Sequence, residues 1–445
     1  MSTLEHLRDR LRGFFPALGR DTVFLDNAGG SQVPRHVIDA VGRYMVDSFS
    51  QLGGDYPTSA RASATVQRAR ALVKSFVNGG DGAGNLGLAP GHGLGDVILG
   101  PSATALVHLI ANGYADAKDA AQREGRPWAR TKVVVCTAGH EANIWPWYRL
   151  QGRGFEIVPW DVEPVETRAG SSGRAVVLGP RVETLRRLLD DRTLLVAFPQ
   201  VSNILGETWD CRAVASEARR AGARSFIDGV AHAPHHAPDV REIGCDWYVY
   251  STYKVYGPHM GALYGRREAW AQLTGPNHPF IPREETARKW ELGGACHEGC
   301  AAINALWDYA LDTLGEPREG TPDLDRGVFA RAFQRFADLE RPLLDRLMEA
   351  LTSNPRVRVI GAPTPEPPRV CTVSFVVDGA ASADVARAGN AEGLGVRWGH
   401  FYSKRLVEQI GLDPADGVVR VSLAHYNSHE DVERFASFLS RRARA

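Results

Sequence analysis

From about residue 95 to residue 265, short apolar runs alternate with stretches of helical periodicity. That alternation predicts a mostly parallel sheet joined by crossover helices. The predicted strands are Val97-Ile98-Leu99, Lys132 to Cys136, Thr193 to Phe198, Ser225-Phe226-Ile227, Trp247 to Tyr250 and Gly261 to Tyr264. Residues 1 to about 20 read as a short helix, and Arg326 to Leu351 as a long one that bridges to a second unit. Beyond it, Val370 to Val377 and Val418 to Ser422 read as strands. Ser428-His429-Glu430-Asp431 opens a last helix, with Val432, Phe435, Phe438 and Leu439 at helical spacing. The expected organisation is an N-terminal helical segment (1–20), a large α/β domain (21–310) and a small α+β domain (311–445).

Composition narrows the class. The 445 residues carry 52 basic and 52 acidic side chains, so no net charge favours nucleic acid or an anionic membrane as a partner. No apolar run approaches the roughly 20 residues of a membrane span, and Met1 to Arg8 is polar and amphipathic, without a signal-peptide apolar core. Six scattered cysteines, at 136, 211, 245, 296, 300 and 371, fit reduced thiols in a cytoplasmic protein.

The chemistry gathers at strand ends, where ligands of open parallel sheets bind. Lys254 follows the buried-strand run Trp247 to Tyr250, and Asp228 follows Ser225-Phe226-Ile227. A lysine and an aspartate so placed are what pyridoxal phosphate needs: an amine for a Schiff base and a carboxylate to keep the pyridine nitrogen protonated. After Val97-Ile98-Leu99 come Ser102, Ala103 and Thr104, a helix start suited to a phosphate or to ordinary capping. His140 follows the run at 132–136 and has a ring that can stack on a flat cofactor. Asn203 follows the run at 193–198 and can bond a phenolic oxygen. Gly82 to Gly87 matches G-x-G-x-x-G but lacks the strand-to-helix context of a dinucleotide site, and reads as a surface loop. His232, His235 and His236 lack a carboxylate or cysteine at ligand spacing, so no metal is expected.

These stretches, with Phe24-Leu25-Asp26-Asn27-Ala28-Gly29, Gly139 to Trp147, Ser202 to Gly206, Gly257-Pro258, Arg420-Val421-Ser422 and Tyr426-Asn427, resemble the class V aminotransferase family. That family of fold-type I pyridoxal phosphate enzymes includes cysteine desulfurases and selenocysteine lyases. The resemblance implies a large domain with a mostly parallel seven-stranded sheet, a small C-terminal α+β domain, and a homodimer with shared active sites. It makes Lys254 the Schiff-base lysine and proton shuttle, Asp228 the pyridinium partner and His140 the stacking ring. Asn203 lies near the phenolic oxygen, and Thr104 and Ser251 bind phosphate. Arg420 grips the substrate carboxylate, a bidentate task suited to guanidinium. Arg397, Tyr402 and Asn27 fall on the substrate side. His297 stands where a threonine often reaches the partner subunit's phosphate.

Departures matter too. Desulfurases carry a persulfide-forming cysteine after Arg-x-Gly-His. Here Arg397-Trp398-Gly399-His400 leads to Phe401 and Tyr402, so Tyr402 takes the cysteine's place. Ala231 stands where the family usually has Gln or His against the ring oxygen. The chain resembles the subgroup lacking the catalytic cysteine. Cys296 and Cys300 read as buried small residues or as an alternative sulfur acceptor. The expected activity is a lyase that forms a Cα carbanion and cleaves a Cβ–S or Cβ–Se bond. An epimerase, an aminotransferase, a carbon–carbon bond former or a non-catalytic pyridoxal phosphate-binding protein are the alternatives.

Overall fold

The central sheet has seven strands: β1 (Gly95–Gly100), β2 (Lys132–Cys136), β3 (Glu156–Trp160), β4 (Thr193–Pro199), β5 (Arg224–Asp228), β6 (Trp247–Ser251) and β7 (Gly261–Arg266). The computed structural model describes residues 3–19, 22–80, 94–169, 173–318, 324–364 and 368–442. The glycine-rich match at 82–87 lies outside them. The strand order is β1-β7-β6-β5-β4-β2-β3. Only β7 runs antiparallel to its neighbours. The other pairings are parallel. The ends of β2, β4, β5 and β6 therefore open on one rim, where β7 begins.

Sequence periodicity located six of these strands. It missed β3, whose Pro159 and exposed Glu156 break the apolar run. Proline is tolerated there because β3 is the outermost strand and pairs only with β2. The antiparallel pair Glu163–Ala169 and Gly173–Gly179 was also unread.

Both faces of the sheet are covered, so its inner strands are buried and mainly apolar, unlike the edge strand β3. Val133, Val135, Leu195, Ala197, Phe226, Trp247 and Val249 pack on one side against α4 (Ala103–Arg123), through Leu106, Ile110 and Tyr114. Val134, Val196, Phe198, Ile227, Tyr248 and Tyr250 face the other side. There they meet α3 (Pro57–Phe76), α5 (Cys211–Arg220), α6 (His297–Leu314) and the first half of α7 (Arg326–Thr352).

A second sheet, β8 (Val357–Ile360), β9 (Thr372–Val377), β10 (Arg397–Gly399) and β11 (Val418–Ser422), is ordered β8-β9-β11-β10 and wholly antiparallel. Its core takes Phe375 from β9, Val419 and Val421 from β11, and Phe435 and Leu439 from α9 (His429–Arg442). Helix α7 serves both cores. Phe329, Phe333 and Phe336 enter the large one, and Leu343, Leu347 and Leu351 the small one. Pro342 lies at the changeover. The sequence placed the division at about 310, which falls within α6; the cores separate near Pro342, because one continuous helix feeds both. Val23 and Phe24 pair in parallel with Leu394 and Gly395, and Val23 and Leu25 join the small core. This N-terminal strand brings Asp26 and Asn27 to the junction of the two units.

Candidate functional site

Asp228 ends β5 and Ser251 ends the adjacent parallel strand β6. Lys254 lies in the 3-10 turn Thr252–Lys254 directly after β6. That turn is held from several sides. Thr252 N donates to Met260 O at 3.0 Å, and Gly257 N to Thr252 O at 3.0 Å. Tyr256 sits in the left-handed region, at φ 60°. Its N–H donates to Ser31 Oγ at 3.0 Å and its hydroxyl to Pro234 O at 2.7 Å. These bonds over-determine a conformation that non-glycine residues avoid.

Lys254 is buried, and its amine is brought down to about 8, first by burial and then by the Arg420 charge, with Asp228 and Asp26 opposing. A share of it is therefore neutral and nucleophilic near neutral pH. Asp228 is also buried, and burial raises its carboxyl; its Oδ1 accepts from Val230 N at 2.9 Å. An ionised carboxylate at such a site needs a cation beside it. His140 caps the short helix Glu141–Asn143, with Nδ1 accepting from Ala142 N at 3.0 Å. Burial, then Lys254 and Arg420, push the ring down to about 3. It stays a neutral flat ring with its proton on Nε2.

Arg420, on β11, is 3% exposed. Its Nη2 donates to Asp26 Oδ1 at 3.2 Å and its Nη1 to Asn203 O at 3.4 Å. The guanidinium lies 3.8 Å from the Phe401 ring centroid. Its Nε is buried without a partner. Burial lowers it to about 10, against the pull of Asp26. Arg397, opposite Arg420 on β10, bonds Asp26 Oδ2 at 3.4 Å. One aspartate thus holds two guanidiniums, and the buried one keeps an N–H free for an acid.

The rim offers a phosphate corner. Gly261 registers with Gly100 on one side and Ser251 on the other. A Cβ at Gly261 would stand 2.4 Å from Ala103 N, so only glycine lets the sheet approach the start of α4. The first turn of a helix presents N–H groups that suit an anion. The Ser102 hydroxyl itself acts as the N-cap, accepting from Ala105 N at 3.1 Å. Thr104 is exposed and Ser251 buried. An amine, a carboxylate that wants a cation, a flat neutral ring and an anion corner fit pyridoxal phosphate.

Three expected residues sit differently. The Asn27 amide is spent within the protein: Nδ2 donates to Ser422 O at 2.7 Å and Asn427 Oδ1 at 3.1 Å, and Oδ1 accepts from Tyr426. Asn27 thereby ties the N-terminal strand to β11 and the segment after it. The Asn203 amide is engaged by Phe401 O and Ser403 Oγ, at 2.9 and 2.7 Å. His297 starts α6, its ring 6.5 Å from that of Tyr44 on α2 (Arg35–Asp47). Tyr402 is 64% exposed and lies 5.1 Å from the His140 ring. Cys296 is exposed; the other five cysteines, Cys300 among them, are buried. His235 is bonded through Nδ1 to Glu340 at 2.7 Å. Among the described residues no group of three His, Cys, Asp or Glu side chains could hold a metal ion, and no helix is long and apolar enough to cross a membrane.

Sequence reasoning missed the roles of Asp26, Glu141 and Phe401. The run Phe24-Leu25-Asp26 placed an acid at a strand end, but its partners lie 371 and 394 positions away. Only the fold joins them.

A family model described as Aminotransferase class-V matches residues 23–281 and 330–435. An aminotransferase-like protein, FGM3, of Gibberella zeae is 36% identical over 442 residues, covering 98% of both chains. A probable cysteine desulfurase of Pseudomonas putida is 28% identical over 443 residues, with 95% of each chain covered. An apo structure of the cysteine desulfurase from Thermococcus onnurineus NA1 matches with a TM-score of 0.76 at 21% identity, covering 98% of both chains, a likeness of fold.

Proposed function

The chain belongs to the class V aminotransferase family, whose members are pyridoxal phosphate-dependent enzymes, and on that premise we propose that it is a lyase acting on an amino acid at Cα and Cβ. Pyridoxal phosphate supplies an aldehyde for amines and a ring that accepts electrons. The chain's own residues do the rest. Lys254 would hold the cofactor through its amine and would take the Cα proton of a bound amino acid. Asp228 would keep the pyridine nitrogen protonated. His140 packs as a neutral ring. Arg420 takes the α-carboxylate on Nε and one Nη. Gly261, Ser251 and the start of α4 hold the phosphate.

A sulfur or selenium group at Cβ then leaves, and hydrolysis of the remaining fragment gives a keto acid and ammonia. Tyr402, in place of the loop cysteine, cannot store sulfur as a thiolate does. The released group therefore goes to solution. The observation that carries this reading is the buried set Lys254, Asp228 and Arg420, with an amine brought down to about 8. We further propose a cytoplasmic homodimer. The exposed apolar residues Met45 and Val46 on α2, with Phe49 beyond it, form a patch that a second copy would cover.

The test is an absorbance scan during titration with L-cysteine, cysteine sulfinate, selenocysteine and a cysteine S-conjugate, with keto acid and sulfide assayed alongside. A spectral shift with keto acid supports the lyase. A shift without product points to the second reading, an aminotransferase or epimerase of another amino acid, which the 36% identity to an aminotransferase-like protein favours.

A further inference from the structure

The segment after β10 is tied to the large unit at successive residues. The Phe401 carbonyl accepts from Asn203 Nδ2 at 2.9 Å. The Tyr402 carbonyl accepts from Glu141 N at 2.8 Å. Ser403 Oγ donates to Asn203 Oδ1 at 2.7 Å. Arg405 donates to Glu141 Oε1 at 2.8 Å, and its guanidinium stacks 4.3 Å from the Tyr148 ring centroid. Between these ties Phe401 and Tyr402 stand at φ 47° and 59°. Two consecutive non-glycine residues in the left-handed region persist only where surrounding bonds impose it. The outcome is specific. The Phe401 ring lies on the Arg420 guanidinium, and the Tyr402 ring stands 5.1 Å from the His140 ring at 33°. Asn203, itself buried, supplies two of the ties.

We propose that Asn203 is a positioning residue that clasps this segment, together with the Glu141 amide, and makes Tyr402 a fixed wall that sets which substrate side chains are accepted. The proposal rests on the reading of the site given above. A docked segment cannot swing to admit a large group. A phenol face beside His140 favours a compact, uncharged substituent at Cβ. The guanidiniums agree with that class. Arg397 and Arg420 are both bonded to Asp26, and of the buried Arg420 only Nε lacks a partner. One carboxylate satisfies it, and the neighbouring Arg397 is already bonded to Asp26.

The test uses the full-length holoenzyme and its Asn203→Ala, Ser403→Ala, Tyr402→Ala and Tyr402→Phe variants. One readout is amide hydrogen exchange over residues 399–405. The other is the spectroscopic Kd for alanine, S-methylcysteine, S-benzylcysteine and aspartate. Asn203→Ala should speed exchange over 399–405 by about tenfold or more, and both it and Tyr402→Ala should flatten the preference for small uncharged side chains. Tyr402→Phe, which keeps the ring, should retain that preference. Unchanged exchange in Asn203→Ala overturns the clasp. Unchanged discrimination in Tyr402→Ala overturns the wall, and tighter binding of aspartate than of S-methylcysteine overturns the substrate class. Should Asn203→Ala fail to fold, Ser403→Ala removes one tie and its exchange decides the same point. Discrimination without keto acid from any substrate would sink the lyase reading while leaving the clasp standing.

Discussion

Lys254 is kept at a cost in stability, and removing it should stabilise the cofactor-free protein. Its amine falls from an ordinary 10.5 to about 8 through burial first and the Arg420 charge second. At 1.36 kcal/mol per pH unit, that displacement corresponds to about 3.4 kcal/mol of preference for the neutral form. The sign follows from proton binding. Between about pH 8 and 10.5 the unfolded chain binds the proton and the folded chain does not, so this group lowers stability as pH falls through that window, with no further loss below it. Lys254→Met fills the site with a side chain of similar length and no charge. The predicted gain is at most about 3.3 kcal/mol at pH 7, shrinking to about 1.4 kcal/mol at pH 9.5. That displacement is already net of the Asp228 and Asp26 charges, and an imperfectly packed Met side chain reduces the gain, so the realised value should be on the order of 1–3 kcal/mol. Urea unfolding of cofactor-free wild type and Lys254→Met at the two pH values measures it, and the variant should also lose the visible cofactor absorbance. A variant less stable than wild type at pH 7, or a gain that does not shrink at pH 9.5, would refute the reasoning.

Three further outcomes can be checked. Arg420→Ala should raise KM and lower kcat/KM for any α-amino acid substrate by on the order of 100-fold (~2.7 kcal/mol); an unchanged kcat/KM would place the carboxylate elsewhere. Asp228→Asn should cut kcat by about 100-fold or more while raising the urea midpoint of the cofactor-free protein at pH 7, because a buried acid whose ionised form is disfavoured is replaced by a neutral amide; a normal kcat would remove Asp228 from the ring nitrogen. Gly261→Ala puts a methyl group 2.4 Å from Ala103 N and should cost about 1–3 kcal/mol of stability together with cofactor affinity, read by equilibrium dialysis; unimpaired affinity would mean that the phosphate lies away from this corner.

Much of the candidate site, as a set of groups gathered at one rim, was legible because its residues follow strands directly. An apolar run that ends in Asp228, or that leads within a few positions to Lys254 or His140, is a local signal, and parallel strands bring their ends to one rim. The gaps have physical causes. Pro159 disguised β3, since proline is excluded from inner strands and only the fold reveals that this one is at the edge. Asn203 could be placed at a strand end, but the competition for its amide comes from Phe401 and Ser403, about 200 residues on. Asn27 was given to the substrate side, yet Ser422, Asn427 and Tyr426 consume its amide.

Residue type and local order determined which reactive groups stand at the rim: an amine, a carboxylate, an imidazole and a helix start, each adjacent in sequence to the strand or turn that presents it. Tertiary structure alone decided their states and partners. Burial lowers Lys254 and keeps His140 neutral, and both effects depend on what packs around the side chain. The pairing of Asp26 with two arginines, and the docking that turns Tyr402 into a wall, join segments hundreds of residues apart. Hydrogen bonds and Coulomb forces act over a few ångströms of space, and no spacing along the chain records which distant groups the fold brings within that range.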